Sequence, residues 1–408
     1  MSQCFKVFLL IFQTSLFASS ITLGIDTFLE NDHSKTYSGK KIGVITNHTA
    51  LSKDGSLTID RLLAQKHLTI TKIFAPEHGF FGDIAAETIV KDDFYEKKTP
   101  ILSLYGATRR PTKEMLQDID VLIFDMQDNG VRSYTYTTTL FYCMEEAAKY
   151  GIEVLVFDRP NPMGGEMFDG PLLKESLRSF IGYINVPYCH GMTVAELAHF
   201  FNTEYKVKCK LKTYNMKGWK RSQTFKDTSL LWVPSSPNMP DSETAFYYAT
   251  TGWVGSLSLA YMGIGTTFPF KVIGAPWIDG KNLAKILNKQ DLKGVIFTPF
   301  SFTPTLGSMK NTLCNGVMIH ITDFSIYKPM KTGCMIAGIL KSIYPKEIKD
   351  RLDGASKNLV SIANKAIGNE NFLNILKTEP FPAYKLIEEG SKDLTAFSQK
   401  REKYLLYK

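Results

Sequence analysis

Glu77 stands between Pro76 and His78-Gly79, directly after the apolar run Ile70-Thr71-Lys72-Ile73-Phe74. The end of a buried strand is a place where surroundings can raise a carboxyl pKa toward the value a general acid needs. The chain repeats this arrangement. Ile42-Gly43-Val44-Ile45 breaks into Thr46-Asn47-His48, and Ile101-Leu102-Ser103-Leu104 into Tyr105-Gly106. Val121-Leu122-Ile123-Phe124 runs into Asp125-Met126-Gln127-Asp128, and Val154-Leu155-Val156-Phe157 into Asp158-Arg159-Pro160-Asn161. Short apolar runs of this kind are strands buried on both faces of a parallel sheet. Ligands of such sheets bind beyond the carboxyl ends of the strands, so the polar clusters are expected to converge on one enzymatic site.

Each residue of these clusters also has a plainer use. Glu77 can cap or salt-bridge a loop, and His78 either orients a ligand or is merely hydrogen-bonded. Asn47, Gln127 and Asp128 supply polar groups next to the candidate acid, and Gly130 permits a sharp turn. Arg132 offers a planar fork for a ligand carboxylate or for a structural ion pair. Tyr134 and Tyr136 either stack on a sugar or begin the core face of a helix, the latter favoured for Tyr136. Asp158-Arg159-Pro160-Asn161-Pro162 is a turn stiffened by its prolines, structural or functional on equal terms. His190-Gly191-Met192 and Pro237-Asn238-Met239-Pro240 are placed to reach the same crevice, the second from another domain.

Helical patterns alternate with the strands over Ser56–His67, Thr112–Asp118 and Thr137–Tyr150, the last ending before Gly151. This alternation predicts right-handed crossovers and a Rossmann-like parallel α/β sheet. Thr193 with Glu196 forms a capping box, and Met192 can staple on Leu197, opening a helix to about Tyr205. A strand follows at Lys210–Tyr214. The basic stretch Lys217–Ser229 reads as a junction, and Val233–Pro240 as an irregular loop. Beyond it, a strand near Gly316–Ile321, a helix over Thr332–Ile343 and a last helix over Asp393–Leu405 predict a second, smaller α/β domain. The expected division is 21–217 and 230–408.

A chain of 408 residues exceeds one ordinary core. Lys6, the apolar stretch Val7–Phe17 and the small residues Ala18-Ser19-Ser20 predict a signal peptide over 1–20 and a secreted or periplasmic protein with no stable membrane insertion. Cleavage leaves Cys143, Cys189, Cys209, Cys314 and Cys334, which read as buried thiols, with one disulfide as the alternative. The net charge of +8 is spread along the chain without a basic, aromatic-laced run, which argues against nucleic acid and allows mild attraction to an anionic wall polymer. No G-x-G-x-x-G, Walker A, H-E-x-x-H or G-x-S-x-G motif is present, which speaks against dinucleotide, P-loop, zincin and standard serine-hydrolase chemistry.

The ordered motifs resemble one family. They are Pro76-Glu77-His78-Gly79; Asp125-x-Gln127-Asp128-x-Gly130-x-Arg132-x-Tyr134-Thr135-Tyr136; Asp158-Arg159-Pro160-Asn161-Pro162; His190-Gly191-Met192-Thr193; Ser236-Pro237-Asn238-Met239-Pro240; and Lys403-Tyr404-Leu405-Leu406-Tyr407. Over nearly the whole mature chain the sequence is similar to the exo-β-N-acetylmuramidases, a family long known only as a domain of unknown function. The resemblance implies a Rossmann-like domain, a smaller α/β domain and a cleft between them. It also implies release of N-acetylmuramic acid from the non-reducing end of peptidoglycan fragments, without metal or organic cofactor. The catalytic glutamate of the P-E-H-G motif falls on Glu77.

The chain departs from the family pattern at Ile264, where G-R-G-T has arginine, at Phe81, where arginine is usual, and at Lys271, where glutamate is common. The expected mechanism is glycoside hydrolysis with Glu77 as acid and Asp125 or Asp128 as second carboxylate, unless the sugar's own acetamido group attacks. Arg132 is the expected partner of the lactyl carboxylate, and Ser256–Ile264 the expected lining of the cleft. Rival readings are a metal-dependent hydrolase using His78, Asp125, Asp128 and His190, and a wall-binding protein of weakened activity. The oligomeric state is not legible.

Overall fold

Each apolar run becomes a strand whose alternate residues enter different cores. The computed structural model describes residues 21–408; the signal segment expected over 1–20 lies outside the described residues. The strands are β1 (Lys41–Thr46), β2 (Thr69–Ala75), β3 (Asp93–Tyr95), β4 (Thr99–Ser103), β5 (Val121–Asp125), β6 (Glu153–Phe157) and β7 (Lys210–Tyr214). They form one sheet in the order β3-β4-β2-β1-β5-β6-β7. Every pairing is parallel except that of β3 with β4. Val121, Ile123, Leu155 and Phe157 turn to one apolar cluster, while Leu122, Phe124, Val154 and Val156 turn to another. Period-two side-chain placement makes continuous apolar runs the right sequence for a sheet covered on both faces.

The coverings are helices. The short α1 (Gly24–Leu29) and α2 (Thr58–Leu63) lie on the first face, contributing Ile25, Phe28, Ile59 and Leu62. The expected span Ser56–His67 is shortened because the chain turns after Ala64, with Leu68 N–H donating to the Gln65 carbonyl at 2.9 Å. After the one-turn α3 (Lys113–Leu116), α4 (Tyr136–Tyr150) and α5 (Val194–Glu204) cover the other face. Gly151 ends α4 at φ +69°. The capping box of α5 forms as expected: Thr193 Oγ1 accepts from Glu196 N–H, and Glu196 accepts from Thr193 N–H at 2.9 Å.

The stretch 217–229 lies against the first domain. Lys217 pairs with Thr22, Trp219 joins the apolar cluster beside β6 and β7, and Arg221 is bonded to Glu196 at 2.7 Å. The elements of the second domain begin with α6 (Thr244–Ser256), followed by β8 (Val272–Ala275), α7 (Gly280–Leu287), β9 (Val295–Phe302), β10 (Cys314–Ile321) and α8 (Pro329–Ile343). The three strands form an antiparallel sheet in the order β8-β10-β9. Five further helices follow: α9 (Pro345–Gly354), α10 (Lys357–Ile367), α11 (Asn371–Thr378), α12 (Ala383–Ser391) and α13 (Leu394–Arg401). One apolar cluster runs through both domains, joining Phe124, Leu140 and Phe200 to Phe246, Trp253 and Met335. The five described cysteines are free and buried. No helix among the described residues is long and apolar enough to cross a membrane.

The last residues return to the first domain. Tyr407 hydroxyl donates to Asp158 at 2.5 Å, Leu406 N–H to Glu196 at 2.8 Å, and Arg221 N–H to the Lys408 carbonyl at 3.1 Å.

Candidate active site

The chain leaves β1 toward β2 and β4 on one side and later returns to place β5 on the other, so the strand order reverses at β1. At such a reversal the loops part and leave a crevice at the carboxyl ends of the strands. Asn47 follows β1 there, Glu77 follows β2, and Asp125 closes β5.

Glu77 is buried. One carboxylate oxygen accepts from Thr135 Oγ1 at 2.6 Å and the other from Glu87 N–H at 3.3 Å. Tyrosines surround it. Burial and the adjacent Glu77 carboxylate push the Tyr105 phenol up to about 12. Burial chiefly, with a contribution from Glu77, also raises Tyr134, Tyr136 and Tyr248. Tyr134 packs edge-on to Tyr136 with ring centroids 4.8 Å apart, and Tyr248 comes from α6 of the second domain, its hydroxyl 3.0 Å from Ser133 Oγ. The loop before α6 closes the other flank: Tyr136 hydroxyl donates to the Ser235 carbonyl at 2.6 Å, and Asn129 Nδ2 to Ser235 Oγ at 3.1 Å.

Several polar atoms in these strand-end loops are buried without a protein partner: Asn47 Nδ2, Asp128 Oδ1 and Tyr134 Oη. Buried polar groups are ordinarily hydrogen-bonded, so these atoms at the strand ends are free to bond ligand or water atoms. Asn47 otherwise uses its oxygen on Thr49. Asp128 Oδ2 accepts from Gly130 N–H at 2.8 Å and faces His190 Nε2 at 3.2 Å. His190 Nδ1 accepts from Met192 N–H at 3.3 Å, which assigns the ring proton of the neutral form to Nε2, toward Asp128.

Other expected site residues are taken up by the scaffold. Asp125, fully buried, is held by Nε and Nη2 of Arg159 and by Thr58 Oγ1 at 2.6 Å. The remaining Arg159 nitrogen, Nη1, donates to the Leu51 carbonyl at 2.8 Å. This buried pair ties three strand-end loops together and leaves Asp125 no free acceptor edge. Gln127 spends its amide hydrogens on the Asp128 and Pro160 carbonyls. Asn161 bridges Met192 and Met163, and a Cβ on Gly130 would lie 2.3 Å from its side-chain oxygen. His78, at φ +69°, donates from Nδ1 to the Ile84 carbonyl at 2.8 Å and so fixes the loop after Glu77. Asn238 is half-buried in the loop preceding α6.

Arg132 corrects the sequence reading. Its guanidinium is buried and donates to the carbonyls of Pro171 (2.7 Å), Val186 (2.6 Å), Ala366 (3.4 Å) and Ile367. Burial lowers its pKa to about 10. The fork that was to hold a ligand carboxylate closes the carbonyl end of α10 instead, a favourable place for a cation. The Ser256–Ile264 segment is corrected likewise. Leu257 and Leu259 are buried, and Ile264 packs against the cluster of Tyr261, Val272, Phe302 and Cys314. Asp128 and His190 face each other while His78 and Asp125 are engaged elsewhere, and no group of three His, Cys, Asp or Glu side chains is arranged to hold an ion among the described residues.

Thr135 and Tyr105, present in the strand-end clusters but not singled out as site residues, and Tyr248 from α6 complete the surroundings of Glu77. Tyr105 had a signal, since it follows a strand exactly as Glu77 does in kind. Tyr248 had none, because α6 is buried nearly all round and shows no amphipathic stripe.

A buried carboxylate held by a hydroxyl and a backbone N–H, beside tyrosines at a sheet reversal and roofed by a second domain, is suited to acid–base chemistry on a bound ligand. Comparison with known proteins supplies the family. The model for the N-terminal domain of exo-β-N-acetylmuramidase NamZ matches residues 42–243, and that for its C-terminal domain matches 246–407. The chain is 39% identical over 392 residues to the peptidoglycan β-N-acetylmuramidase NamZ of Bacillus subtilis, covering 95% of this chain and 91% of that protein. Two crystal structures of DUF1343 family proteins from Bacteroides fragilis share the fold. The first, BF0371, has a TM-score of 0.89 at 34% identity over 95% of this chain and 99% of its own. The second, BF0379, has 0.73 at 26% over 96% and 99%. The chain belongs to the NamZ exo-β-N-acetylmuramidase family.

Proposed function

We propose that this protein removes terminal β-linked N-acetylmuramic acid from peptidoglycan fragments, with Glu77 as the general acid. The observation that carries the reading is the Glu77 carboxylate, buried at the sheet reversal, anchored through Thr135 and facing tyrosines from both domains. The Thr135 hydroxyl fixes the carboxyl in one orientation, as proton donation to a leaving oxygen requires. Asp125 is committed to Arg159 and Thr58, so the second carboxylate expected from the sequence is not offered by that residue. With Asp125 withdrawn, we infer that the nucleophile is the sugar's own 2-acetamido oxygen, a substrate-assisted route known among glycosidases, and that Asp128 serves in sugar binding instead. Asp128 with His190 holds hydroxyls of the same sugar, and the unpartnered Asp128 Oδ1 and Asn47 Nδ2 supply the acceptor and donor.

The test is incubation with defined disaccharides in both linkage orders. Free N-acetylmuramic acid should appear only when it occupies the non-reducing end, and an analogue with hydroxyl in place of the acetamido group should resist cleavage. Binding without release from either disaccharide would replace hydrolysis with capture of wall fragments. A secreted or periplasmic site of action, motivated by the apolar start of the chain, fits this substrate and is checked by fractionation.

A further inference from the structure

The turn after β4 carries two adjacent arginines with opposite fates. Arg110 is consumed: it pairs with Glu145 at 2.6 Å, approaches Glu146 at 3.5 Å, meets Tyr183 hydroxyl at 2.8 Å and lies 3.7 Å over the Tyr142 ring. Thr108 braces the same turn, its hydroxyl donating to the Arg110 carbonyl at 2.7 Å and accepting from Arg110 N–H at 3.0 Å. The backbone at Arg109 is thus fixed on both sides. Its side chain is exposed and forms no ion pair among the described residues. The guanidinium rests 4.7 Å from the Tyr105 ring centroid and 4.8 Å from that of Phe180. Stacking holds a guanidinium by its faces and leaves its N–H edge open to a planar anion. Tyr105, against whose ring Arg109 rests, also feels the Glu77 carboxylate, so the acid and the cation lie beside the same side chain.

We propose that Arg109 is the specificity-determining residue that recognises the free lactyl carboxylate of the terminal sugar. This rests on the glycosidase reading above. A sugar whose bond to the aglycone lies at Glu77 carries its 3-O-lactyl arm across Tyr105 toward Arg109. There the carboxylate takes two parallel hydrogen bonds from the guanidinium fork. Converting that carboxylate to an amide removes the charge and one acceptor oxygen.

The experiment uses the full chain and two 4-nitrophenyl β-glycosides, one of N-acetylmuramic acid and one of its lactyl methylamide. Wild type should prefer the acid. Arg109→Gln should raise KM for the acid by about 10- to 100-fold, with kcat less affected, and should collapse the acid-over-amide preference. Arg109→Lys, which keeps charge and loses the fork, should fall between. An equal loss on acid and amide, or a wild type without preference, overturns the assignment to Arg109 while leaving the glycosidase standing. A wild type that neither cleaves nor binds either glycoside overturns both readings.

Discussion

Arg132 and Gly368 meet across the two domains: a Cβ on Gly368 would stand 2.2 Å from the Arg132 guanidinium nitrogen that bonds the end of α10. Gly368 also has φ +81°, the left-handed cap position where a side chain is strained. Gly368→Ala and Arg132→Lys should therefore each lower stability, the second by about 2–4 kcal/mol because buried carbonyls lose a charged donor. Denaturant unfolding measures the loss. A change in acid-over-amide preference in Arg132→Lys would return that residue to the ligand site.

Glu77→Gln keeps the shape and one hydrogen-bond acceptor for Thr135 but has no proton to donate to a leaving group. Turnover should fall by about two or more orders of magnitude with binding retained. Near-wild-type release of a terminal muramide by the purified variant would remove Glu77 from the mechanism.

Asp158 gives a pH signature. Burial raises its carboxyl to about 7, although Tyr407, Thr193 and Ala195 N–H all donate to it. The folded state thus retains a proton that the unfolded chain releases above about pH 4. Stability from this group is fully present below pH 4 and is lost as pH rises through 7. The melting temperature should decline between about pH 4 and 7 by an amount worth a few kcal/mol. Asp158→Asn, which has nothing to titrate, should lose that part of the slope.

Ile264→Arg restores the family's arginine but meets Tyr261, Val272, Phe302 and Cys314. Tyr261 hydroxyl pins the same segment through the Ile264 and Leu306 carbonyls, each at 2.9 Å. A half-buried guanidinium placed against these apolar groups without a partner should cost about 1–3 kcal/mol. Increased activity at unchanged stability would contradict this packing.

The first sheet was legible because two-sided burial writes itself as apolar runs, and the Thr193–Glu196 box because capping uses fixed spacing. Strand ends located Glu77 and Asn47 for the same reason. Sequence alone could not divide the charged residues of those ends between ligand and scaffold. Arg132, Arg159 and Arg109 look alike in one dimension. Their roles depend on which carbonyl, carboxylate or ring the fold brings alongside. The second domain was harder, since α6 has no polar face to give it a period and β9 has exposed apolar residues such as Ile296.

The bonds from Tyr407 to Asp158 and from Leu406 to Glu196 span 249 and 210 residues. During synthesis, the buried carboxylates behind the β6 turn and at the start of α5 wait for the last residues before their hydrogen bonds are complete. The apolar cluster running through both domains has the same requirement. Neither half can finish folding while the other is still being made, so the chain should mature in one late, non-local step, with no fully native first domain standing alone.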